Sequence, residues 1–123
     1  RDESSRPSEK LLREVMAGKL RLMVPDLWWS ESLNVLCNAV RRGRITDADA
    51  RRTVYYLEEI PIETISAQRI GRQQIFALAR QHALSAYDAT YLALAEAQGV
   101  PLITCNRHLL ALRKQFAGIR PLA

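Results

Sequence analysis

The sequence predicts an α/β domain: a mainly parallel sheet with helices on both faces. Three observations carry that prediction. Short apolar runs at residues 20–24, 62–65, 100–104 and 119–122 have the length and composition of strands. The longer stretches between them repeat their apolar residues at helical spacing, so strands alternate with helices. The chain is 123 residues long, enough for one core of this kind and too short for two, so residues 1–123 read as a single domain.

The first helix is expected over residues 4–19. Pro7 suits its opening turn, Leu11, Leu12, Val15 and Met16 recur at helical spacing, and Gly18 marks the exit. A strand over 20–24 closes at Pro25. Asp26 has the character of an N-cap for a long helix reaching about Arg42, with Gly43 ending it. Leu27, Trp28, Trp29, Leu33, Val35, Leu36, Ala39 and Val40 make that helix apolar around most of its circumference, so it is expected to be packed on most sides. Its polar residues Glu31, Asn34, Asn38 and Arg41 fall within one arc of about 80°.

Thr46 opens the next helix, with Asp47 and Asp49 in an acidic first turn and Asp49 at capping-box spacing. Pro61 stops it after about Glu59. Residues 62–65 alternate as a strand, and Ser66 caps one helix whose stripe is Ala67, Ile70, Ile75 and Leu78. His82 falls on that stripe as a core or boundary side chain. Ser85 starts another helix, Gly99 closes it, and a buried strand over 100–104 ends on the polar pair Cys105 and Asn106. A helix with Leu109, Leu112 and Phe116 on one face and a strand near 119–122 complete the order. It reads α, β, α, α, β, α, α, β, α, β.

No apolar run approaches the ~20 residues of a membrane span, and no charged-then-apolar signal segment opens the chain. Arg1 does not have the character of a native start. Cys37 and Cys105 share neither metal-like nor redox-like spacing. Their apolar neighbours make them small core residues of a cytoplasmic protein. Net charge is +5, and 15 of the 18 basic residues are arginine. Guanidinium forks suit phosphate, which leans toward a nucleic-acid partner; a solvated arginine-rich surface accounts for the same charge.

Ligands of parallel α/β sheets bind beyond the carboxyl ends of the strands. Asp88, in the first turn of the helix from Ser85, and Asn106, just past a strand, are placed there. Ser85 and Asp88 have capping-box spacing, which explains the aspartate without any function. Tyr91, Leu92 and Ala95 share its helix face, which puts the carboxylate on the packing side, and both readings stay open. Glu31 lies mid-helix among apolar neighbours, where an unpartnered carboxylate is costly. Arg41 is nearly three turns away, so a buried arginine elsewhere or a metal is expected to face it. Carboxylates converging with amide oxygens such as Asn34 and Asn106 suit Mg²⁺ or Mn²⁺.

PDLWWSESLNVLCNAVRRGRIT (residues 25–46), LSAYDATYLALAEAQGVPLIT (residues 84–104) and the CNRHLLAL that follows resemble the PIN-domain ribonucleases, most nearly the VapC-like toxins. The likeness runs through the whole chain, and AYDATYLALA is its most specific part. It implies a three-layer α/β/α sandwich, usually a homodimer, that cuts RNA with Mg²⁺ or Mn²⁺ and is held by a cognate antitoxin protein. By position it makes Glu31, Asp88 and Asn106 the catalytic and metal-binding set, with Asn34 and Thr104 shaping the site.

Two departures accompany it. Asn106 carries no charge where an aspartate is common. The family's first catalytic aspartate ends an N-terminal strand, and nothing before Ser4 has the apolar run to form one. If that strand is central, its neighbours are left with unpaired backbone groups, and the chain alone is expected to be weak or inactive. The alternative is a non-catalytic module that keeps the fold for dimerisation or antitoxin binding. A module that only binds nucleic acid has less support, because the arginines are dispersed and no helix-turn-helix or aromatic stacking motif stands out.

Overall fold

The computed structural model describes residues 6–122. The helix start expected at Ser4 lies outside them. The elements in chain order are α1 (Arg6–Met16), β1 (Leu22–Pro25), α2 (Leu27–Arg41), α3 (Asp47–Glu59), β2 (Ile62–Ile65), α4 (Ala67–Ile70), α5 (Arg72–His82), α6 (Ala86–Gln98), β3 (Leu102–Thr104), α7 (Arg107–Leu110) and β4 (Ile119–Pro121).

Both strand pairings are parallel, as the alternation with helices requires. Leu22 to Pro25 of β1 lie opposite Ile62 to Ile65 of β2, and Leu102 to Thr104 of β3 opposite Ile119 to Pro121 of β4. Among the described residues these are two separate two-stranded sheets, not one continuous sheet. Helix α6 packs against both β1 and β3 and so bridges the break. Its packing face is small and apolar: Ala89 and Ala93 are fully buried, Leu92 nearly so, and they meet Ile65, Ile70, Ile75, Leu78, Leu109 and Ile119 in one core. Small residues let the neighbouring elements approach closely, and that fixes α6 as the centre of the domain.

The helix ends follow local chemistry. Thr46 accepts from the Asp49 N–H, and the Asp49 carboxylate accepts in return from the Thr46 N–H, a complete capping box. Gly43 closes α2 with φ +72°: its N–H reaches Val40 and that of Arg44 reaches Ala39, the paired bonds of a Schellman motif. Gly99 closes α6 in the same way, through bonds to Glu96 and Ala95. At the end of α5 the left-handed residue is Ala83, at φ 53°, where a Cβ is unfavourable. Ala83→Gly is therefore expected to stabilise the fold by roughly 1 kcal/mol, read as a higher urea midpoint.

Several expectations are corrected. The helix from Ser66 is broken at Gly71, whose φ of 112° and ψ of 101° interrupt it into α4 and α5. The helix carrying Leu109 stops at Leu110, and Leu112 and Phe116 reach the core from the turns that follow. Asp26 sits at the N-cap position of α2 with helical backbone angles, and its side chain makes no cap bond. None of the residues of α2 is buried, and Leu33 and Val35 are 40% and 66% exposed. An all-round apolar helix is expected to be packed on most sides; here α2 packs chiefly on α3 and β1. Cys37, on this helix, and Cys105, in the turn after β3, are both exposed and not core residues. His82 is half-buried, as expected, with its ring edge-on to Phe116 at 5.1 Å.

Candidate active site

Ser85 caps α6 by accepting from the Asp88 N–H at 3.0 Å. Only that half of a capping box forms. At Asp49 the carboxylate turns back on its own helix start, whereas the half-buried Asp88 carboxylate accepts instead from Asn106 Nδ2 at 3.1 Å, across from the end of β3. The Asp88 carboxylate therefore does not close a capping box with Ser85.

Asn106 is held at both ends of its amide. Its Oδ1 caps α7, accepting from the N–H groups of His108 at 2.8 Å and Leu109 at 3.2 Å. Its own N–H donates to Thr104 Oγ1 at 3.0 Å. The cap dictates which way the amide points, so Asn106 meets Asp88 as a donor. Its oxygen, expected from the resemblance to be a metal ligand, is engaged by the backbone of α7. The Thr104 hydroxyl braces the turn that presents Asn106.

Glu31 of α2 is exposed, and its Oε1 accepts a hydrogen bond from the hydroxyl of Tyr91. No arginine pairs with it among the described residues, and its exposure removes the burial cost from which a buried arginine or a metal is expected. Arg41 bonds instead with Asn38 at 2.8 Å, on the same helix face. Asn34 is exposed, and among the described residues no side-chain hydrogen bond ties it to the cluster.

Tyr91 follows Asp88 by three residues, on the same face of α6. It is half-buried, and its phenol is held well above the usual tyrosine range. Burial is the largest cause, followed by the hydrogen bond to Glu31 and the negative charges of Glu31 and Asp88. The hydroxyl thus keeps its proton and acts as a donor. Glu31 and Tyr91 form one hydrogen-bonded pair, and Asp88, Asn106 and Thr104 form a second group, with Tyr91 and Asp88 one turn apart on α6. Sequence reasoning puts Tyr91 on the face of Asp88 but as a packing residue. That spacing is the signal the sequence offers.

The sequence matches the PIN domain family over residues 2–115. The chain belongs to the PIN-domain family. Ribonuclease VapC9 of Mycobacterium tuberculosis is 33% identical over 97 residues, 79% of this chain and 73% of that protein. Ribonuclease VapC3 of Pyrobaculum aerophilum is 33% identical over 104 residues, 83% of this chain and 78% of that protein. In three dimensions the domain superposes on the crystal structure of PAE2754 from Pyrobaculum aerophilum with a TM-score of 0.74 and 23% identity, covering 97% of this chain and 82% of that one. The α/β architecture expected from the sequence is thus that of a PIN domain, with the sheet in two halves here.

A PIN domain with these polar groups offers oxygen donors only. Among the described residues no three His, Cys, Asp or Glu side chains gather at one point. Mg²⁺ and Mn²⁺ accept one or two carboxylates and complete their shell with water and phosphate oxygens. The free Asp88 Oδ2 and the exposed Glu31 carboxylate fit that demand. The described helices include none long and apolar enough to cross a membrane.

Proposed function

We propose that this PIN domain is a divalent-cation-dependent endoribonuclease, the toxin of a toxin–antitoxin pair. The observation that carries the reading is the placement of two hydrogen-bonded pairs, Glu31 with Tyr91 and Asp88 with Asn106, on the one helix α6, where Tyr91 and Asp88 stand one turn apart near the carboxyl end of β3. Family membership and the ribonuclease relatives supply the reaction class. Glu31 and Asp88 would hold Mg²⁺ or Mn²⁺, which when bound supplies an activated water and neutralises charge on the scissile phosphodiester. Asn106 holds Asp88 in place from one side. The openness of the site around Glu31 suits a polymer such as RNA better than an enclosed small molecule.

The partners follow from the same reading: an RNA substrate, a cognate antitoxin, and a second copy of the chain. Exposed Leu33 and Val35 give α2 apolar surface for contact with another chain. A non-catalytic binding module is the second reading, favoured by the neutral Asn106 and by its engagement with α7.

Cation removal separates the two readings. Treatment with EDTA is expected to abolish RNA cleavage, and Mn²⁺ to restore it. Cleavage that survives exhaustive chelation would exclude the cation-dependent mechanism.

A further inference from the structure

We propose that Tyr91 is a positioning residue of the cation site, acting through Glu31. The inference rests on the nuclease reading and deepens it. Glu31 is exposed and stands on α2, a helix with no buried residue, so packing does little to hold its side chain in one rotamer. A free surface glutamate loses conformational entropy whenever it binds an ion, and that loss weakens binding. The Tyr91 hydroxyl donates to Oε1 and fixes the carboxylate before any ion arrives, leaving Oε2 free.

The tyrosine is suited to this role by its own anchoring. It is half-buried on α6, whose next residues, from Leu92 to Ala95, are all buried in the core. Asp88 stands one turn earlier on that helix. The same rigid element therefore sets Asp88 directly and Glu31 through the hydroxyl, so the two carboxylates are held in register although they come from separate helices. Asn106 plays the matching part at Asp88, as a neutral donor to one carboxylate oxygen. Each carboxylate keeps one oxygen for the cation and gives the other to a neutral donor, the arrangement by which outer-shell partners orient metal ligands.

Tyr91→Phe removes one oxygen atom and keeps the ring, so the variant tests the bond with little change in packing. Mn²⁺ titrated calorimetrically into the metal-free protein is expected to bind Tyr91→Phe about 10-fold more weakly than the wild type. In a Glu31→Ala background the same change is expected to have less than about a 2-fold effect, because the bond's partner is gone. The thermal midpoint of Tyr91→Phe checks that the fold persists.

Equal Mn²⁺ affinity in the wild type and a folded Tyr91→Phe would overturn the proposal. So would an undiminished effect of Tyr91→Phe in the Glu31→Ala background, which would show a structural role independent of Glu31. If the wild type itself binds no Mn²⁺, the nuclease reading fails and the tyrosine's role toward a cation fails with it. That result is distinct from loss of binding in the variant alone.

Discussion

Asp88→Asn is expected to lower cation-dependent RNA cleavage by at least about 100-fold. A carboxylate that binds a divalent cation contributes several kcal/mol through the ion's charge, and each 1.4 kcal/mol of transition-state stabilisation is worth about a factor of 10. The asparagine is nearly isosteric and leaves the Ser85 cap on α6 intact, since that bond uses the backbone N–H of residue 88. Stability is therefore expected to stay close to that of the wild type. Cleavage rates at saturating Mn²⁺, together with urea midpoints for both proteins, check the two halves of the prediction. If Asp88 were structural, the order would be reversed, with stability falling and cleavage unchanged.

The second large effect is expected at the break between the sheets. Within a parallel pair, successive N–H groups alternate between the partner strand and the opposite side. The Asp26 N–H reaches Ile65 O beside β2, and the Leu102 N–H reaches Gly118 O beside β4. By alternation the N–H groups of Val24 and Thr104 face their partners, while those of Met23 and Ile103 face away, toward the break. Ile103 is 43% exposed although it lies at the middle of its strand. Amide hydrogen exchange is expected to be at least 100-fold faster at Met23 and Ile103 than at Val24 and Thr104. A parallel strand paired in the break is expected to protect Met23 and Ile103 together. Protection of both without an added strand would mean that another segment already pairs with β1 and β3.

The sequence made α6 and its surroundings legible because the signals there are local. Ser85 and Gly99 mark the two ends of the helix, and Ala89, Leu92 and Ala93 mark its buried face. The capping box at Thr46 and the strand at 62–65 are readable for the same reason. What escapes is tertiary. Gly71 sits in an apolar pattern of unbroken helical spacing, and only its backbone angles show that the helix stops there. The apolar circumference of α2 points to burial, but hydrophobicity says that a surface prefers cover, not that the same chain provides it. Cys37 is misplaced by the same inference.

The candidate site divides along the same line. The resemblance points to Glu31, Asp88 and Asn106 by position; the fold bonds Asp88 to Asn106 and Glu31 to Tyr91. The donors and acceptors within the set are not legible. Asn106 carries the same amide whether it ligates an ion or caps a helix, and α7 decides between them by engaging the oxygen. Asp49 and Asp88 both follow a hydroxyl residue at capping-box spacing. Asp49 closes the box through Oδ2 while its Oδ1 takes Arg52 from the same helix, whereas the Asp88 carboxylate takes Asn106 from the turn after β3.

The most direct test of the nuclease reading is Mn²⁺ binding at this site in the absence of RNA, measured by calorimetry on the wild type, Glu31→Gln and Asp88→Asn. The account predicts a saturable isotherm for the wild type, weakened at least about 10-fold by each substitution while the protein stays folded. Wild-type binding that neither substitution changes would place the cation elsewhere. No binding in any of the three would contradict the account and leave a PIN domain that serves as a binding module.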